Sequence, residues 1–230
     1  MVLLDSNFNT IVKAVNEGRA IFENIRKVVL YLLVDSFTEV ILVSTSLIFG
    51  TPVPLTAVQI LWVNLIEDGL PGLALAFEPE EEGLMEELPR SAKESILNKE
   101  VKVLIFIIGI LTDFLLLGLF FFLFFRGVDL ARTRTIIFAA LAIDSLFYIF
   151  SCKTLRQNLW HEKIFSNKFL NMSVLIGLIM IFLGVYSPFF QRLLDTQPLS
   201  VENWLLIFSL GLANIIGIET VKWLFLRKRG

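Results

Sequence analysis

Asn64, Glu67 and Asp68 stand in the middle of residues 58–79, VQILWVNLIEDGLPGLALAFEP, a stretch otherwise apolar and long enough to cross a bilayer. Each uncompensated acid at mid-membrane costs roughly 2.5–3.5 kcal/mol on insertion scales, so acids in this position mark a functional site. Gly69, Pro71 and Gly72 follow at once. Pro71 has no amide proton and its ring crowds the carbonyl four residues earlier, at Glu67, so the helix is expected to open where the polar groups gather. Free carbonyls and carboxylates on a broken membrane helix are groups that bind cations. The preceding apolar stretch holds a second set, Asp35, Ser36, Thr38 and Glu39 in LLVDSFTEVIL. Asp35 and Glu39 are four apart and share a helix face, as do Asn64 and Asp68. Two carboxylates turned to lipid would be prohibitive, so both faces are expected to meet. The hairpin then offers an all-oxygen set, suited to a hard cation such as Ca2+, Mg2+ or Na+ and unsuited to Zn2+ or Cu+. Close carboxylates in a low dielectric cannot all stay ionised without the metal, so protons are expected to replace it, which implies H+ counter-transport.

The elements that position these groups follow from hydropathy. Of the 230 residues, 56% are hydrophobic and 22 are Phe, and the mean hydropathy is +0.75, the composition of a membrane protein. Six spans are expected, at about 28–50, 56–77, 101–125, 134–152, 170–190 and 203–225. The fold class is therefore an all-α membrane protein, a bundle of six transmembrane helices with an N-terminal cytoplasmic stalk helix. In residues 1–27, Asn7 or Asn9 could cap that stalk. Ile11, Val15, Gly18, Phe22 and Ile25 recur at helical spacing on one face of it, with Lys13, Arg19, Arg26 and Lys27 mostly elsewhere. Six spans put both termini on one side. That side carries sixteen Lys and Arg, and the other carries four, Arg126, Arg132, Arg134 and Arg192, so both termini are expected in the cytoplasm. The N-terminus lacks the basic and apolar regions of a cleaved signal peptide.

The remaining polar groups carry weaker signals. Cys152 is the one cysteine, which excludes an internal disulfide. Asp113 and Asp144 fall near mid-span and are expected to accept hydrogen bonds from Thr112 or Ser145, or to share a proton. Glu219 can pair with Lys222, and His161 is expected in a solvated loop beside Trp160. The Phe-rich run 120–125 reads as lipid-facing surface. The acidic-then-basic segment 78–100 is either a solvated linker or a brace for a cytoplasmic domain. There is no nucleic-acid patch; the basic tail Arg227-Lys228-Arg229 reads as an anchor touching anionic lipid of the bilayer.

At these residues the sequence resembles the carboxy-terminal membrane region of P-type cation-transporting ATPases, in the calcium-pump-like branch. The likeness begins at VLLDSNFNTIVKAVNEGRAIFENIRKV, and runs through Tyr31 to Glu39, QILWVNLIEDGLP, ALAFEP, Leu88-Pro89-Arg90 and the late NIIGIETVKW. It implies that residues 1–27 are the end of a phosphorylation domain and its stalk, and that 28–230 are the C-terminal transport domain. By position it implies Glu39 and Ser36 as ion ligands from the fifth helix of such pumps, and Asn64, Glu67 and Asp68 from the sixth. Ser36 stands where calcium pumps have asparagine, Glu67 where they have threonine, and Asp35 where they have a small polar residue. No glutamate near Thr154 matches the one their eighth helix contributes. Glu39, Asn64 and Asp68 are thus the expected primary ligands, with Ser36, Glu67 and Asp35 secondary, for a transported cation, foremost Ca2+. The phosphorylation motif, nucleotide-binding and actuator domains and first four helices of the family do not occur in this sequence. ATP and Mg2+ would act only through that missing head, in the same longer chain or a separate one, in a bacterial plasma membrane. A free-standing channel or secondary carrier, or a non-catalytic protein that binds a full-length pump, are the alternatives.

Overall fold

The computed structural model describes residues 8–81, 84–86, 94–155, 157–161 and 164–227, and among them every regular element is helical. The first helix, α1 (Phe8–Ile48), runs 41 residues without a break, so the stalk and the first span are one rod. It begins beside Asn7, which lies outside the described residues; Asn9 is already inside it. The turn at 50–54 reverses the chain with Gly50 at φ 64°, a backbone conformation glycine adopts without a Cβ clash. Arg134 Nε holds this turn by donating to the Val53 carbonyl at 3.1 Å.

The second span is the broken one. Helix α2 (Ala57–Asn64) starts at a capping box, in which Thr56 and Gln59 satisfy each other's backbone amides. It gives way to a π-helical turn, Leu65–Gly69, and resumes as α3 (Leu70–Leu75) with Pro71 in its first turn. Together the three pieces cover about 28 Å at 1.5 Å per residue, nearly the thickness of the hydrocarbon core. Helices α4 (Lys99–Phe125), α5 (Leu130–Cys152), α6 (Lys168–Tyr186) and α8 (Val201–Arg227) complete the bundle, and the first three are capped by the side chains of Asn98, Asp129 and Asn167. Among the described residues five helices are long and apolar enough to cross a membrane: α1, α4, α5, α6 and α8. With the interrupted α2–α3 span they account for the six-span reading. One boundary differs. The expected 170–190 span ends at Tyr186, because Pro188 opens a separate short helix, α7 (Pro188–Leu194), tied to α2 by Gln59 Nε2 donating to the Leu194 carbonyl at 3.0 Å.

Helix α5 is the axis of the bundle. Its apolar stretch is 89% buried, and it packs against α8, α4, α6 and α1, as a helix apolar all round must. The Phe-rich run 120–125 is only partly lipid-facing. Phe122 and Phe125 are exposed, but Phe120 and Leu123 are buried in the core.

The stalk packs through a polar face near its membrane end. Val15 and Ile25 are exposed, while Glu23, Asn24, Arg26 and Lys27 are buried. The reason is the segment after α3, whose carbonyls and carboxylates lie against that face. Asn24 donates to the Ala76 and Glu78 carbonyls, and Arg26 reaches Glu94 and the carbonyls of Ser95 and Ile96. Lys27 Nζ meets Glu81 at 2.9 Å, and Lys153 at the end of α5 meets Glu78 at 3.1 Å. Asn167, the cap of α6, also donates to Glu78 and to the Ala74 carbonyl. The described part of 78–100 therefore braces the bundle itself, joining α1, α3, α5 and α6. Residues 88–90 lie outside the description, as do the His161 side chain and Lys228-Arg229.

Candidate functional site

The break in the second span lies directly against α1 and α5. Pro71 leaves the Glu67 carbonyl without its usual helical donor, and the Tyr31 hydroxyl of α1 approaches that oxygen at 3.4 Å. Tyr31 also contacts Ser145 of α5 at 3.0 Å, and the Tyr148 hydroxyl donates to Asp35 Oδ1 at 3.4 Å. Asp35 and Glu67 are both buried and lie close enough to interact electrostatically. Two carboxyl groups so close need a proton or a cation between them. Both oxygens of Glu67 and Oδ2 of Asp35 have no donor among the described groups, an arrangement costly in a low dielectric.

The other four predicted residues sit on a neighbouring face, which is more open. Asn64 Nδ2 and Glu39 Oε2 are 3.5 Å apart, and both residues are half-buried. Ser36 and Asp68 are exposed, one on α1 and the other in the π turn. The structure thus divides the six residues into a closed pair, Asp35 and Glu67, and an open group, Ser36, Glu39, Asn64 and Asp68. Among the described residues no three acidic, histidine or cysteine side chains close around one point. The donor set fits a hard cation in chemistry, since every candidate ligand atom is oxygen. The π turn explains the division: one extra residue in the turn rotates Glu67 inward while the adjacent Asp68 points out.

Three members of the buried cluster have no motif in the sequence. Tyr31 enters only through the family likeness and Ser145 only as an expected donor to the mid-span aspartates, while Tyr148 carries no signal; only the helical register of Tyr31 against Asp35 hints at a shared face. Asp144 and Asp113 behave differently from each other. Asn214 on α8 donates at 2.8 Å to both Asp144 Oδ2 and Thr112 Oγ1, so Thr112 serves Asp144 across the helix interface and not its neighbour Asp113. Asp113 Oδ1 finds no hydrogen-bond partner among the described groups. Glu219 does approach Lys222, at 3.8 Å, but its stronger partners are Asn158 Nδ2 and the Leu159 amide at 3.0 and 2.7 Å. Lys222 is itself buried, donating to Ser151 and Thr154 carbonyls, so it is an internal tie and not a solvated anchor.

Residues 52–224 match the family model described as "Cation transporting ATPase, C-terminus". The chain belongs to this family. It is 35% identical to "Calcium-transporting ATPase 1" of Bacillus cereus over 96% of its length, which is 27% of that relative. It is 32% identical to "Calcium-transporting ATPase" of Bacillus subtilis, over 92% of this chain and 24% of the relative. It is also 32% identical to "Calcium-transporting ATPase type 2C member 2" of Rattus norvegicus, over 96% of this chain and 24% of the relative. The chain therefore spans about a quarter of the length of these relatives. Family membership and its apolar helices make it an integral, multi-pass membrane protein.

Proposed function

We propose that this chain is the cation-binding and translocating part of a P-type ATPase, with Ca2+ the transported ion. The observation that supports the reading is the π turn at Leu65–Gly69, which interrupts the second span directly after Asn64 and carries Glu67 and Asp68, beside the uninterrupted helix that carries Asp35 and Glu39. Similarity to calcium-transporting relatives supports Ca2+ over other hard cations. Glu39, Asn64 and Asp68 are the primary ligands, and Ser36, Glu67 and Asp35 the secondary ones.

In this reading residues 1–27 close a phosphorylation domain and begin its stalk, and residues 28–230 form the transport domain. ATP and Mg2+ act through head domains that correspond to the other three-quarters of the relatives. Since α1 is one rod from Phe8 to Ile48, a displacement of its stalk end reaches Glu39 without a joint to absorb it. The stalk side is cytoplasmic, by the excess of Lys and Arg there, and the membrane is a bacterial plasma membrane. Protons return through the emptied acids, giving H+ counter-transport. The test is Asp68→Asn in the complete pump. Loss of Ca2+-dependent phosphorylation by ATP, with phosphorylation by inorganic phosphate retained, is expected. Normal Ca2+-dependent phosphorylation would refute the assignment.

A further inference from the structure

The stalk-side end of the bundle treats its lysines unequally. Lys27, Lys153 and Lys222 are buried, and each lies against a glutamate, Glu81, Glu78 and Glu219 in turn. Lys168, the first residue of α6, is exposed and forms no ion pair with a described residue. Glu78, bonded to the neighbouring Asn167, is already occupied by Lys153. Among the described residues, none compensates the charge of Lys168.

Beside this lysine lie two adjoining surface clefts of about 380 and 370 Å3, one between the segment after α3 and the start of α6 and one between Leu70 and α6, and Lys168 and Phe169 line both, so together they make a groove. Phe77 and Phe169 flank its upper part, with ring centroids 6.1 Å apart. Leu70, Met172 and Ile176 line its lower part and offer only apolar surface. From Lys168 to Ile176 is eight residues of helix, about 12 Å at 1.5 Å per residue, a depth that an acyl chain descends from the headgroup region. An uncompensated cation at the rim above an apolar slot is complementary to a molecule with an anionic head and a hydrocarbon tail.

We propose that this groove is a binding site for one anionic glycerophospholipid of the stalk-side leaflet, its phosphate at Lys168 and an acyl chain along Phe169, Met172 and Ile176. The chain then ends against Leu70, the residue that follows the π turn and stands two positions from Asp68. The lipid is thus placed to support the helix break from its outer side.

The test is native mass spectrometry of the purified protein with phosphatidylglycerol or phosphatidylcholine of matched acyl chains, with glycerol 3-phosphate as the headgroup alone. One lysine beside an anionic headgroup is worth about five-fold, the equivalent of about 1 kcal/mol. One phosphatidylglycerol should therefore be retained about five-fold over phosphatidylcholine. Lys168→Gln should bring that ratio close to one, and Met172→Trp, which fills the slot, should reduce retention of both lipids. Glycerol 3-phosphate should not compete. Equal retention of the two lipids by the unmodified protein would overturn the proposal. So would a preference untouched by Lys168→Gln, competition by glycerol 3-phosphate, or capture of a peptide instead of a lipid by a photo-crosslinker at position 172.

Discussion

The Lys27–Glu81 pair gives the brace between stalk and bundle a measurable strength. Its atoms are 2.9 Å apart, and the two side chains are 1% and 7% exposed. Glu81 also accepts from the Leu155 amide at 3.2 Å. Removing one partner of a buried pair leaves an uncompensated charge, which costs about 3–5 kcal/mol. Glu81→Leu should cost that much and, in addition, leave the Leu155 amide without an acceptor, a further loss of about 1–3 kcal/mol. Lys27→Met alone should also cost about 3–5 kcal/mol. The double variant replaces both charges by apolar groups of similar size, so only the amide loss of about 1–3 kcal/mol should remain. The coupling between the two sites is then about 6–10 kcal/mol, against about 0–1 kcal/mol for an exposed pair. Unfolding in mixed micelles, followed through the four tryptophans, measures it. Single losses that simply add in the double variant would show that the pair is solvated and that the 78–81 segment does not clamp α1.

Two further outcomes follow from named contacts. Pro71→Ala restores an amide to face the Glu67 carbonyl, so the π turn should tighten toward α-helix; amide exchange over Leu65–Leu70 should slow and Ca2+ affinity in the complete pump should fall, and unchanged exchange would contradict the role given to Pro71. Asn214→Leu removes both donors from the Asp144–Thr112 knot and should destabilise the bundle by about 1.5–3 kcal/mol in the same unfolding assay, the usual cost of losing a hydrogen bond to an ionisable group in the interior; a change under about 0.5 kcal/mol would place the knot in water.

The helices were legible because the bilayer imposes length and apolarity, and the break was legible because Pro71 and two glycines follow three polar residues at once. The rotation within the break was not. Helical spacing puts Asn64 and Asp68 on one face, but a π turn adds a residue and sends Glu67 inward to Tyr31 and Ser145 while Asp68 faces out. Hydropathy likewise marks an apolar face on the stalk, yet the stalk packs through Glu23, Asn24, Arg26 and Lys27. It could not register that the partner is a loop of carbonyls and carboxylates, against which Asn24, Arg26 and Lys27 are the complementary side chains. Asp144 paired with Asn214, 70 residues away, and such a contact has no trace in local spacing.

Equilibrium binding of radioactive Ca2+ to the complete pump, with Glu39→Gln, Asp68→Asn and Asp113→Asn compared, tests the cation site most directly. Loss of a ligand should exceed the roughly 10–100-fold that an outer partner of a metal site costs, so the first two variants should retain no measurable Ca2+ while the third binds normally. Full Ca2+ binding by Glu39→Gln or Asp68→Asn would contradict the assignment of the site to the helix break.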